Sequence, residues 1–172
     1  GMAVDLYDAM PSVGRKFLLA GKGGMNLTHS ESADRFAERY GARRMQIEVL
    51  LRDFGAPELR TWAQGLGIET FVGSSGRIFP KDMKAAPLLR AWLQRLRHPA
   101  HGGPGVQFHM RRRWIGWADD GRTLRFESLE GEIQVQADAV VLALGGGSWA
   151  RLGSNGAWVP LLAARGVAVA PL

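Results

Sequence analysis

The chain has 172 residues, 46% hydrophobic and 22% charged, enough for one moderate core or a core with a small subdomain, and no cysteine, which excludes disulfides and thiolate chemistry. No apolar run approaches the roughly 20 residues of a membrane span and no basic-then-apolar leader is visible, so membrane insertion is not expected and a cytoplasmic location is the default. The net charge of +6 suits a phosphate-bearing partner, but the arginines are scattered apart from Arg111-Arg112-Arg113, which favours a solvated or substrate-side face over a nucleic-acid stripe.

Residues 3–7 alternate and stop at Asp8, as a short strand ending in an acid. A carboxylate at a strand end is where a dinucleotide fold accepts hydrogen bonds from ribose hydroxyls. Pro11, Ser12 and Gly14 then turn the chain, and Arg15 and Lys16 offer charge to phosphates. The stretch through Thr28 has too many glycines for a helix. Gly21, Gly23 and Gly24, with Asn26 beside them, expose backbone N–H groups and allow close approach to a phosphate or a planar ring.

Ser30 or Ser32 can cap a helix whose face carries Ala33, Phe36, Ala37 and Tyr40. Ile47, Leu50, Leu51 and Phe54 repeat that spacing. Leu59, Trp62, Ala63 and Leu66 repeat it again after Pro57. These three helices form a small insertion whose aromatics are expected in the core. Residues 68–72 and 77–79 are expected to pair as a hairpin across Gly73-Ser74-Ser75-Gly76. Pro87 opens a helix carrying Leu89, Trp92, Leu93 and Leu96, which ends before Pro99.

Val106, Phe108 and Met110 alternate as a strand. Residues 114–118, 123–127 and 132–136 form a β-meander, with turns at Asp119-Asp120-Gly121 and Glu130-Gly131. Residues 139–144 are an unbroken apolar run, the pattern of a parallel strand buried on both faces. The run ends at Gly145-Gly146-Gly147. The spacing Gly145-x-Gly147-x-x-Ala150 imitates a dinucleotide fingerprint, but Arg151-Leu152-Gly153 stands where a long helix should run, and no acid follows about 20 residues on. A second nucleotide site is therefore not expected there. A short helix over 157–165 and a strand from 167 to 169 complete the expectation.

Asp8, Gly14-Arg15-Lys16 and the loop Ala20-Gly21-Lys22-Gly23-Gly24-Met25-Asn26-Leu27-Thr28 resemble the HI0933-like (BaiN-type) flavoproteins. So do Gly76-Arg77-Ile78-Phe79-Pro80 and the stretch from Ala143-Leu144-Gly145-Gly146-Gly147-Ser148-Trp149 to Gly153-Ser154-Asn155-Gly156. Together these motifs cover nearly the whole chain. The resemblance implies an α/β fold: a partial FAD-binding doubly wound (Rossmann-like) domain with a helical insertion and a β-meander. It divides the chain into a second strand and flavin loop (1–30), a helical and hairpin insertion (31–83) and the remainder of the FAD domain (84–172).

The implied function is a flavin-dependent oxidoreductase using FAD, with NAD(P)H or a substrate as electron donor. Asp8 would hold the ribose, and Gly14, Arg15 and Lys16 would form the basic turn toward the phosphates. Gly21, Gly23, Gly24 and Asn26 would face the flavin, and Gly145 and Gly146 would pass close to the cofactor. Family members open with a Gly-x-Gly-x-x-Gly turn that cradles the pyrophosphate. The present sequence starts after that unit, so the resemblance implies an internal fragment that binds FAD poorly alone and self-associates through an open sheet edge.

Gly24-Met25 stand where relatives often have Arg-Cys, and Ser154-Asn155-Gly156-Ala157-Trp158 where they often have Ser-Thr-Gly-Asp-Gly, which marks a divergent branch. No catalytic residue is carried over. His29 is read as a surface residue, and His98, His101 and His109 show no metal-ligand pattern. Two other classes stay open: a non-catalytic binding module that keeps the fold without a cofactor, and, less favoured, a basic nucleic-acid binder.

Overall fold

A computed structural model describes residues 2–172 as two compact units. The first comprises the N-terminal stretch to Lys16 and Pro104–Leu172; the second is Phe17–Gly103. These boundaries lie elsewhere than the 30/31 and 83/84 divisions taken from the sequence. Among the described residues, no helix is long and apolar enough to cross a membrane.

In the first unit, β1 (Asp5–Asp8) pairs in parallel with β5 (Gln107–Met110), in a register that sets Asp8 opposite Met110. The expected alternation at both places is present. The meander follows as β6 (Arg113–Trp117), β7 (Leu124–Ser128) and β8 (Gly131–Val135), antiparallel in that order. Its alternation puts Leu124 and Phe126 in the core. Phe126 stacks on Tyr7, with ring centroids 4.4 Å apart, and so ties the meander to β1. The last helix, α6 (Val159–Ala163), is shorter than expected and carries Pro160 in its first turn.

Residues 139–144 correct the sequence reading. They form no regular secondary structure and pair with no strand, and Val140, Val141 and Leu142 are exposed, Val141 at 90%. A strand buried on both faces needs neighbours on either side, and among the described residues the parallel sheet of this unit contains only β1 and β5. Residues 167–169 likewise form no strand.

The second unit contains a second correction. The residues before the glycines form a helix, α1 (Arg15–Ala20), which begins in the first unit and ends in the second. Its six residues contain no glycine; the helix ends where Gly21 begins the loop. Three strands follow in the order β2 (Thr28–His29), β4 (Arg77–Pro80), β3 (Thr70–Val72), all antiparallel. The hairpin turn is closed by the Gly73 N–H to the Arg77 carbonyl at 2.8 Å.

Helices α2 (Ala33–Glu38), α3 (Arg44–Asp53), α4 (Ala56–Gly65) and α5 (Ala85–Arg97) complete the unit. Ala37, Ala63, Ile78, Ala85, Leu88 and Leu89 are its buried apolar residues. The periodicity located the helices but overstated what they bury. On α3, Leu50 is 63% exposed, and Phe54 just past its end is 52% exposed, because only the Ile47 and Leu51 side is covered. Trp62 and Trp92 meet edge to face at 5.3 Å, a packing role for both.

Candidate functional site

In the first unit the site starts where β1 ends. One oxygen of Asp8, Oδ1, accepts the Met10 N–H at 2.8 Å and so bends the chain out of the strand. The other oxygen has no partner among the described residues. The chain then turns through Gly14, whose φ of 73° is the left-handed conformation glycine adopts freely. Arg15 is exposed and donates from Nε to the Ser12 hydroxyl at 3.1 Å.

Lys16 points elsewhere. Its Nζ donates to Ser148 Oγ at 3.0 Å and to Ser154 Oγ at 3.2 Å, and lies 5.7 Å from the centroid of the Trp149 ring. Ser154 is 5% exposed, and its hydroxyl donates to the Gly146 carbonyl at 2.7 Å. The strands of this loop are locked by reciprocal Trp149 and Ser154 backbone hydrogen bonds, each 3.1 Å. Thus Lys16, about 130 residues away in sequence, is held against the Gly145-Gly146-Gly147 turn.

The electrostatics of this seat are unusual for a lysine in contact with protein. No carboxylate of the described residues pairs with Lys16. Hydroxyl dipoles orient the ammonium but leave its charge unneutralised. Beside it, Gly145 has φ 69°, and a side chain at Gly146 would meet nothing within 4 Å, so the turn is open on that side. An ammonium without a carboxylate partner can attract an anion, although the glycine group shown here, the Gly146 carbonyl, is itself an acceptor. An apolar cleft of about 280 Å³ adjoins it, lined by Leu142, Ala143, Leu144, Gly145, Trp158 and Leu162. After the glycines comes only a three-residue 3₁₀ turn, Ala150–Leu152, so the imitation fingerprint indeed lacks the helix it would need.

Asp5 and His109 form a pair that the sequence did not suggest. The parallel register brings His109 beside Tyr7, on which it stacks at 4.5 Å, and its Nε2 is 2.6 Å from Asp5 Oδ1. Burial, and then the charge of Asp5, push the Tyr7 phenol above its ordinary range.

The second unit carries the glycine loop, where the expected residues separate into two kinds. Gly21 is a packing position, and Gly24 is tied to glycine by its φ of 125°. A side-chain carbon at Gly21 would lie 2.4 Å from Ala85 Cβ, and one at Gly24 would lie 2.7 Å from Met83 Cε. The loop is pinned by Met25 N–H to the Met83 carbonyl (3.0 Å) and by Leu27 N–H to the Ile78 carbonyl (2.8 Å). Gly23 has nothing within 4 Å of a would-be side chain, and Asn26 is exposed between the two pinned residues. His29 is structural: Nδ1 accepts the Glu31 N–H at 3.1 Å, so the proton sits on Nε2, which donates to the Ser75 carbonyl at 3.0 Å.

Sequence reasoning singled out Lys16 and Gly146 but not the hydroxyls joining them. Ser148 and Ser154 stood inside a motif noted only for its glycines, and nothing local in the sequence tells a lysine which distant hydroxyl it will meet. Among the described residues no cluster of acids and histidines could hold a metal ion.

A family model, the HI0933-like protein Rossmann domain, matches residues 1–172. A search of curated proteins finds no match.

Proposed function

The chain belongs to the HI0933-like Rossmann-domain family, a flavin-associated, FAD-binding group of oxidoreductase type, and from that premise we propose that it contributes the cofactor-holding part of an FAD-dependent oxidoreductase. The observation that carries this is the Lys16 seat: an unneutralised ammonium fixed by Ser148 and Ser154 against the Gly145-Gly146 turn. Its chemistry suits a phosphate of the dinucleotide, and the free oxygen of Asp8 suits a ribose hydroxyl.

FAD, when bound, supplies the hydride and electron chemistry. The chain's own residues bind and orient. Lys16 neutralises phosphate charge, Asp8 accepts from ribose, and the glycines at 145 and 146 keep side chains out of the way. Electrons would come from NAD(P)H or from an organic substrate. Arg15, tied to Ser12, is the weaker of the two basic candidates.

The test is a titration with FAD followed by flavin fluorescence, comparing the chain with Lys16→Met. Losing a charge-assisted hydrogen bond costs about 1.5–3 kcal/mol, hence about 10- to 150-fold in affinity. Equal binding by both forms would remove Lys16 from the site.

A further inference from the structure

The sheet of the second unit has an edge that the fold leaves open. Strand β3 pairs only with β4, so its other side is free. The register decides which groups lie there. The Glu69 carbonyl accepts the Lys81 N–H at 2.9 Å, the Gly73 N–H donates to the Arg77 carbonyl at 2.8 Å, and Phe71 stands opposite Phe79 between them. Residues 69, 71 and 73 therefore bond toward β4, and the alternation of an antiparallel pair turns the N–H and C=O groups of Thr70 and Val72 outward. Among the described residues these four groups have no hydrogen-bond partner.

Thr70 also lines a cavity of about 470 Å³, within the range of roughly 300–1,000 Å³ that ligand sites occupy. Helix α4 supplies Pro57, Arg60, Thr61 and Gln64 to its wall, and Glu69 joins Thr70 on the strand side.

Arg60 gives this cavity its chemistry. Its Nε donates to Thr70 Oγ1 at 3.0 Å, which fixes the guanidinium at the start of β3. It makes no ion pair among the described residues, and its terminal nitrogens have no acceptor there. Glu69, the one acid of the lining, is paired with Lys81 at 2.8 Å. One positive charge is thus left uncompensated, on a planar fork of donors that matches a carboxylate with two parallel hydrogen bonds.

We propose that the groove between α4 and β3 binds an extended peptide, which adds to β3 as a further strand and sets its terminal carboxylate on Arg60. The position of Arg60 selects the chain end. A strand antiparallel to β3 finishes beside Thr70, the residue that holds Arg60. Phe71 and Val72, 40% and 46% exposed, offer neighbours to its side chains. The site lies wholly within the second unit and does not depend on the flavin assignment.

The test presents the 172-residue chain with N-terminally tethered hexapeptides of randomised sequence, made once with a free carboxyl end and once amidated. The free-ended set should retain the chain at least about 10-fold more strongly, the effect of one charge-assisted hydrogen bond. Arg60→Gln, at an exposed position, should unfold with the parent chain and lose that preference. Val72→Pro removes an N–H that β4 does not use, and proline is accepted where an edge-strand N–H faces solvent. It should weaken retention of the free-ended set without lowering the unfolding temperature. Four results would overturn the proposal: no retention of either set, equal retention of both, a preference that survives Arg60→Gln, or retention indifferent to Val72→Pro. Preference for the free end with an unchanged response to Val72→Pro would leave a carboxylate site without the added strand, and so counts against it.

Discussion

A glycine in this chain is informative only through what surrounds it. The loop glycines all suggest close approach to a ligand when met as sequence, but Gly21 is spent on Ala85 and Gly24 on a φ of 125°, while Gly23 faces open space. The first therefore belongs to stability. Gly21→Ala would force a Cβ to within 2.4 Å of Ala85 Cβ. Overpacking of that kind costs about 1–3 kcal/mol. Chemical denaturation should show that loss for Gly21→Ala and almost none for Gly23→Ala; equal effects would show that the loop is not clamped as described. Lys16 makes the opposite point. Its identity as a basic residue was visible in the sequence, but its meaning lies in two distant hydroxyls and in the lack of an acid nearby.

Elements with strong local signals were the legible ones. The meander was located to within a residue because alternation and turn chemistry coincide there. At the first turn Asp120 accepts the N–H groups of Arg122 and Thr123, each at 2.9 Å, and the Thr123 hydroxyl. These bonds, the Thr123 hydroxyl first, hold its carboxyl below the ordinary 3.8. The folded form thus binds its proton less readily than the unfolded form, so this stabilisation is complete above pH about 5 and fades as pH falls through and below 3.8. Asp120→Asn should be less stable at pH 7 and converge on the parent chain near pH 2, measured by thermal unfolding. A constant difference at every pH would contradict the account.

Residues 139–144 failed as a strand for a physical reason. Periodicity reports how a segment would like to be buried, not whether neighbours are there to bury it. The helix α1 was missed for the converse reason: six helix-compatible residues were masked by the glycines that follow them.

At the scale of the molecule, the α/β class and the HI0933-like family were legible because motifs spread along the chain agreed with one another, and the family model matches residues 1–172. The two-unit division, in which the first unit joins stretches from both ends of the chain, was not read from the sequence. The exposed run at Val140, Val141 and Leu142 has a consequence at this scale. An exposed, uncharged apolar segment with no strand partner is a surface a second copy can cover. We propose that the chain self-associates through it, so light scattering should show a mass rising with concentration, and Val141→Lys should reduce that rise. A monomer at all concentrations would refute the proposal.

The flavin assignment requires that Lys16 and the Gly145-Gly146 turn form a dinucleotide phosphate seat. The direct measurement is the FAD titration of the parent chain beside Lys16→Met, with thermal unfolding as the control for folding. The account predicts saturable binding by the parent, about 10- to 150-fold weaker binding by the variant, and similar unfolding temperatures. FAD binding that is the same with and without Lys16 would contradict it.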